Sequence, residues 1–460
     1  MVAGLLFYGV LLDWIRTCGA SHDGIGSGPF WIGWLLLSAW GACVFGLQGG
    51  LVWWMSHRCA LPFVVTLPLA WWLGEAAIEN GLRMTIGVNG SLTQLAVTQV
   101  SVPPVIQVAD LGGAGLVTWF VSVANGLCAD AMIIVIGRSS SPRPVDWMAG
   151  SFGMLQLLAV IIYGFARLPG SEAPGPRVVV FPQPFQATVM PELSDSRDSI
   201  DLAVWPEDAI DLTIVFGTHT DGPLVKASQR LGCPVLVGCR KLIEHPRPRL
   251  FNSLVLVNQE RRVIASYDKR FLTPGLEFAP PLRRWFGRWW PIRTVEAHYS
   301  PGLRQGGIGL PWRGDRTVVV GCGICHDACF SEWSRDAMRD SRPPDFFILC
   351  GAERFDATRR VQHLLLACTR LRAVECRRAI VRCVDNGYSG LIDPRGDVRQ
   401  IVAPSQTALV VEAIPFDSRT SVFVTHGATA HHLVILMNLI VVGGCRWSSN
   451  RISFKSKGRL

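Results

Sequence analysis

Residues Val318–Trp333 read VVVGCGICHDACFSEW. A β-branched apolar run passes into glycines and then into Cys325, the pattern of a strand that ends in a tight turn. A thiol at that position is held out to a substrate, which is the layout of a nucleophile. A cysteine alone is weak, because its unperturbed pKa of roughly 8.5 leaves it mostly protonated at neutral pH, so it needs a base or a nearby cation. The competing reading is a buried structural thiol, a common fate in a chain with 14 cysteines. Cys322 and Cys329 flank the position as internal controls and are expected to be dispensable.

Partners stand upstream. Glu207 follows a short apolar run in LAVWPEDAI, and Lys269 closes another in VIASYDKRFLTPGLEF. A partly buried Glu207 would take the thiol proton and later activate the second nucleophile. Asp208 competes with it, and an acid after a strand also serves as a turn or cap residue. Lys269 would stabilise thiolate and oxyanion by fixed positive charge.

Glu, Lys and Cys in this order resemble the catalytic triad of the nitrilase, or carbon–nitrogen hydrolase, superfamily. YDKRFLTPGLEF and ICHDACF are similar to the lysine and cysteine motifs of the apolipoprotein N-acyltransferases, bacterial membrane enzymes that add the third acyl chain to lipoproteins. Residues 104–127, PVIQVADLGGAGLVTWFVSVANGL, resemble the membrane part of the same family. The resemblance implies an αββα sandwich, Glu277 orienting Lys269 through an ion pair, and no cofactor. It places Asp327 where the family has a glutamate and His326 where it has an aromatic residue. CGAERF at Cys350–Phe355 departs from the family's Asn-Asp-Ala-Trp-Phe run, in a loop that handles substrate. CVDNGYSGLIDPRG at Cys383–Gly396 returns to the pattern, with Asn386 and Gly387 as turn residues on the pocket rim.

With 49% hydrophobic and 17% charged residues, the chain is too apolar to be wholly soluble. Its formal charge of +9 comes without a basic stripe interleaved with aromatics, so no nucleic-acid partner is expected. No second ligand pair at zinc spacing follows Cys322, Cys325 and Cys329, so no metal is expected. Apolar runs predict a weak first span over Val2–Ile15 and stronger ones over Phe30–Met55, Leu61–Ile78, Leu111–Ile136 and Trp147–Ala166, with a closing span over His431–Val442. Glu75 within the second strong span is expected to face the bundle or the interface.

The fold class expected is a multi-span α-helical membrane domain (1–168), a Pro/Gly linker (169–176) and an α/β nitrilase-like αββα sandwich (177–426). A transmembrane helix (428–445) and a basic tail (446–460) follow. VVVFPQPF, LAVWPE, CPVLVGC, SLVLVN, VIASYDK, TVVVG, DFFILCG and AIVRCVDNG read as strands. Ala357–Arg378 reads as the longest helix of the α/β domain, with an apolar stripe on an otherwise basic, solvated surface. Arg446, Arg451, Lys455, Lys457 and Arg459 predict a cytoplasmic tail. One span separates it from the α/β domain, which would then face the periplasm from the inner membrane.

The implied chemistry is ping-pong acyl transfer. Membrane phospholipid donates, Cys325 carries the thioester, and a lipoprotein or other amine accepts. Two alternatives stand beside it: a conjugation-associated TraB-type relative with another acceptor or amidase activity, and a non-catalytic membrane scaffold.

Overall fold

The computed structural model describes residues 1–18, 28–136, 143–170, 173–185, 200–210, 213–215, 222–244, 247–260, 263–274, 276–278, 299–303, 306–312, 316–354, 359–402, 408–411, 413–440 and 443. The basic tail lies outside them. Among the described residues, three helices are long and apolar enough to cross a bilayer: Phe30–His57, Ala114–Val135 and Val145–Arg167. The weak first segment is a helix of only 10 residues, Val2–Leu11, which at 1.5 Å per residue reaches about 15 Å, half of a bilayer core. The segment expected to span from Leu61 to Ile78 is the 23-residue helix Phe63–Thr85. It falls outside those three because Glu75, Glu79 and Asn80 dilute its apolar run. Glu75 is turned inward, accepting hydrogen bonds from the Leu95 N–H (2.8 Å), Trp71 Nε1 (3.2 Å) and Thr118 Oγ1 (3.3 Å). The span expected from Leu111 starts later, at Ala114, because Gly113 at φ +75° breaks it from the short helix Ala109–Gly112. The closing segment is the shorter apolar helix Thr429–Ile440.

The α/β part contains β1 (Val178–Val180), β2 (Leu202–Val204), β3 (Thr213–Val215), β4 (Val235–Ile243), β5 (Arg249–Val257), β6 (Val263–Asp268) and β7 (Ile308–Trp312). It continues with β8 (Arg316–Ile324), β9 (Phe346–Ala352), β10 (Ile380–Asp385), β11 (Ser389–Ile392), β12 (Val398–Val402) and β13 (Leu409–Val411). One sheet runs β13-β1-β2-β4-β5-β6 with β3 added on β4, and the other runs β12-β11-β10-β9-β8-β7. All eight runs read as strands are strands. β7 carries Pro311 and takes an edge, where a missing N–H is tolerated.

The period-2 alternation of β-branched residues divides each strand between two faces. Val178, Val180, Leu202, Val204, Leu254 and Leu256 face the second sheet and meet Val320, Cys322, Ile348 and Val381 there. Val179, Ala203, Val255 and Val257 face outward and are covered by Leu224, Val225 and Ala227 of the helix Pro223–Leu231. The helix Arg360–Cys376 lies against the second sheet through Ala373 and Cys376, completing a helix–sheet–sheet–helix sandwich.

That second helix corrects the expectation of a solvated basic surface. Its Ala367, Cys368, Leu371 and Val374 share a core with Val64, Val117, Trp119 and Phe120 of the membrane helices. Arg360 at its start stays exposed, but towards its C-terminal end the charges are buried in pairs instead of hydrated. Arg372 Nη2 lies 2.9 Å from Glu375 Oε1, which also accepts the Ala114 N–H at 2.9 Å. Just past its end, Arg377 donates to Asp110 (2.6 Å) and to Gln107 Oε1 (2.6 Å), while Arg167 and the Tyr163 hydroxyl reach Asp110 at 2.7 Å each. The segment expected as a plain linker also carries structure, since Ala173–Pro174 pairs antiparallel with Pro415–Phe416.

Candidate active site

Four strands end at one place. Glu207 stands three residues after β2, Lys269 immediately after β6, Cys325 immediately after β8 and Glu353 immediately after β9. Main-chain N–H groups and loop residues then fix each side chain.

Lys269 is 1% exposed. Its Nζ lies 2.9 Å from Glu207 Oε1 and 2.9 Å from Glu277 Oε2. Asn252 on β5 bridges the two acids, its Nδ2 donating to Glu207 Oε1 (2.7 Å) and to Glu277 Oε1 (2.6 Å). The Ala352 N–H donates to Glu207 Oε2 at 3.1 Å, and the Thr273 N–H to Glu277 Oε2 at 2.6 Å. Burial alone would pull the ammonium pKa of Lys269 down, but the Glu207 and Glu277 carboxylates more than offset it and hold it well above its ordinary value. Lys269 is therefore a permanent cation. Glu277, which burial would push up, is held below its usual range chiefly by Lys269, then by Asn252 and the Thr273 N–H.

Cys325 adopts φ +45°, a left-handed conformation uncommon for a non-glycine residue and characteristic of strained functional turns. Burial pushes its thiol well up, Glu207 adds to the rise and Lys269 opposes it. The thiol holds its proton at rest, so a base must take it when substrate arrives.

The neighbours of Cys325 do different work. Asp327 is fully buried and ties the nucleophile turn to the lysine loop, accepting the Tyr267 hydroxyl (2.8 Å), the Ile324 N–H (2.9 Å) and the Phe271 N–H (2.9 Å). Burial raises its carboxyl to about 6 despite those donors. His326 is driven down to about 4 by burial, with Lys269 adding to the fall, so it is neutral at pH 7. Its ring sits edge-on to Phe330, with centroids 5.1 Å apart. Asn386 is at φ +53° with an exposed side chain, and its carbonyl accepts Gln362 Nε2 at 2.7 Å. Asp208 is exposed, whereas its neighbour Glu207 faces Lys269. Cys322 points into the sandwich core and Cys329 is buried beside Phe330, Val361 and Leu365.

Sequence reasoning missed Asn252, Tyr267 and Glu353. Asn252 leaves a faint signal as the lone amide within RLFNSLVLV, and Glu353 as an acid closing the apolar FFILCGA.

The membrane half reaches this site. Asn89 Nδ2 donates to the Cys329 carbonyl at 2.6 Å, and Arg83 pairs with Glu332 at 2.8 Å. Phe271 and Phe330 stack with centroids 3.9 Å apart, and Gly87 approaches so closely that a Cβ there would lie 2.7 Å from Phe278. Phe271 and Phe330 also pack with Trp14 and Leu92 of the helical half, so an aromatic rim lies where the two halves meet.

A thiol, a saturated lysine and buried carboxylates converging at the strand ends of a two-sheet sandwich, on a chain with apolar membrane-length helices, define a membrane enzyme of nitrilase-like αββα architecture. Residues 179–422 match the family model described as carbon-nitrogen hydrolase, and the chain belongs to that family. Residues 1–127 match the model described as apolipoprotein N-acyltransferase N-terminal domain.

Similar curated proteins include the apolipoprotein N-acyltransferase of Geobacter metallireducens, 23% identical over 76% of this chain and 68% of that one. That of Gloeobacter violaceus is 26% identical over 90% of this chain and 78% of its own length. That of Pseudomonas aeruginosa is 24% identical over 50% of this chain, and the match spans less than half of it, 43%. Among solved structures, Saccharomyces cerevisiae Nit3, a nitrilase-superfamily member, is 15% identical with a TM-score of 0.39, covering 57% of this chain and 97% of that one. The resemblance read from the motifs therefore holds in both halves of the chain. The conjugation-associated subgroup finds no support in these matches.

Proposed function

We propose that this chain is a membrane-bound acyltransferase that moves an acyl chain from a glycerophospholipid, through a thioester on Cys325, to an amine such as the amino-terminal cysteine of a lipoprotein. The observation that carries this is the buried Glu207–Lys269–Glu277 cluster beside a protonated thiol on a left-handed turn. Glu207 takes the thiol proton as sulfur attacks the ester carbonyl. Lys269 offers fixed positive charge to the oxyanion. The tetrahedral intermediate collapses, the lysophospholipid alkoxide leaves with the proton from Glu207, and the acyl chain stays on sulfur. An amine then attacks the thioester carbon and passes a proton to Glu207, which returns it to the departing thiolate.

The aromatic rim and the clamps from Asn89 and Arg83 favour a donor that arrives from the bilayer plane. We divide the chain into a membrane domain (1–168), a catalytic domain (177–426) and a closing helix (428–445), with the catalytic domain facing the periplasm from the inner membrane. The basic residues of 446–460 support that orientation. The CGAERF sequence favours a second reading, a relative of the TraB type with a different acceptor, which shares the same first half-reaction.

Intact mass of the protein in phospholipid micelles tests the assignment. A hydroxylamine-labile acyl adduct is expected on wild type and absent from Cys325→Ala. Absence of an adduct on wild type, with Cys325 readily alkylated, would exclude phospholipid as donor.

A further inference from the structure

Glu353 is a buried acid at this site that the mechanism above does not use. It follows Ala352, whose N–H holds Glu207, and it is 2% exposed. One carboxyl oxygen, Oε1, accepts Arg382 Nη2 at 2.8 Å. The other, Oε2, is enclosed and has no hydrogen-bond partner among the described residues. Arg382 is itself buried and held in place, since it also donates to Thr369 Oγ1 (2.6 Å), to the Leu365 carbonyl (3.4 Å) and to the Tyr388 carbonyl (3.0 Å). It anchors Glu353 through Oε1.

Space for the unpaired oxygen is made by the absence of a side chain at Gly387, where a Cβ would lie 2.4 Å from Oε2. The strand that delivers Glu353 also runs against the nucleophile, since a Cβ on Gly351 would lie 3.6 Å from Cys325 Cα. The carboxyl acts electrostatically on Cys325 and feels Glu207 in turn.

Buried acceptors without a donor are rare and costly, so such an oxygen points to a ligand N–H or O–H. Charge selects between them. Lys269 and Arg382 balance two of the acids Glu207, Glu277 and Glu353, and the remaining negative charge favours a cation. Every oxygen of Glu207 and Glu277 already has donors, whereas Glu353 Oε2 has none among the described residues.

We propose that Glu353 Oε2 receives the ammonium group of the acyl acceptor and takes one proton from it, freeing the amine to attack the Cys325 thioester. This deepens the acyltransferase reading and rests on it. The step balances. R–NH3+ and the Glu353 carboxylate become R–NH2 and the neutral acid. The amine forms the C–N bond as the C–S bond breaks, its second proton passes through Glu207 to sulfur, and Glu353 releases its proton to solvent. Burial lifts the Glu353 carboxyl to about 7, with Arg382 opposing the rise, which suits proton exchange with an amine at neutral pH.

The test separates the two half-reactions. Wild type and Glu353→Gln are acylated from phospholipid, freed of donor, and chased with glycylglycine amide, mostly protonated at pH 7, or with hydroxylamine, which is uncharged. The variant is expected to acylate at least as readily as wild type, since a carboxylate that opposes thiolate formation at Cys325 is gone, and its thioester is expected to react with hydroxylamine as the wild-type thioester does. It is expected to transfer to the peptide amine on the order of 100-fold more slowly at pH 7, with the gap closing at alkaline pH. Equal slowing with both nucleophiles, no slowing with either, or a wild-type thioester inert to the peptide would each overturn the proposal. Absence of any wild-type thioester would instead overturn the acyltransferase reading, and this proposal with it. Should Glu353→Gln fail to fold, the double variant Glu353→Gln/Arg382→Gln removes both charges together and gives the same comparison.

Discussion

Cys325 keeps its proton until substrate arrives, which makes Glu207 indispensable to acylation. Glu207→Gln is expected to slow adduct formation by roughly 100- to 10,000-fold, and because its amide NH2 would face the Lys269, Asn252 or Ala352 donors it is also expected to cost about 1–3 kcal/mol of stability; mass spectrometry against time measures the first and thermal unfolding in detergent the second. Asn252→Leu removes both bridging donors and is expected to cost about 1–3 kcal/mol of stability along with slower acylation, readable from thermal unfolding in detergent beside the adduct time course. The Glu353 carboxyl at about 7 fixes a sign for the second half-reaction. Its ionised form is the base, so aminolysis falls as pH drops through about 7, and in Glu353→Gln the fall begins at higher pH, where the free amine itself becomes protonated. Glu207, Lys269, Glu277 and Cys325 could be read from the sequence because each sits beside an apolar strand within a local motif. Asn252 and Glu353 could not, because their meaning lies in partners 45 and 29 residues away.

At the level of elements, the eight strand runs were legible because apolar alternation and turn residues are local signals. β3 and β11–β13 are short and were not singled out, and β7 is broken by Pro311. The helix Arg360–Cys376 was legible in extent but misread in surroundings, since periodicity reports an apolar stripe and says nothing of what the arginines meet. The turn at Cys325–Cys329 depends on one buried carboxylate. Asp327→Asn keeps the volume but replaces an acceptor oxygen with a donor facing the Tyr267 hydroxyl and main-chain N–H groups. It is expected to destabilise by about 1–3 kcal/mol and to depress acylation, whereas Cys322→Ala and Cys329→Ser should leave the labile adduct on Cys325 in place. The same micelle experiment checks all three.

Over the whole molecule, the two halves meet at Asp110, which is fully buried and pairs with both Arg167 and Arg377. Asp110→Ala leaves those guanidiniums without their counter-charge, and removing one partner of such a buried pair costs about 3–5 kcal/mol. The expected readout is a lower unfolding temperature in detergent together with faster proteolysis between residues 168 and 177. The contacts of this junction were not legible: the 104–127 stretch that holds Gln107 and Asp110 reads as family-like, but nothing local pairs either residue with Arg377, and their distance in sequence hides the contact. The shared core beneath it has a consequence for how the protein is made. The ribosome delivers residues 1–167 first, so the surface that covers Ala367, Cys368, Leu371 and Val374 exists before those residues are synthesised. A nascent chain carries its own template, and the order of manufacture ensures that no finished catalytic half appears without a membrane half to receive it.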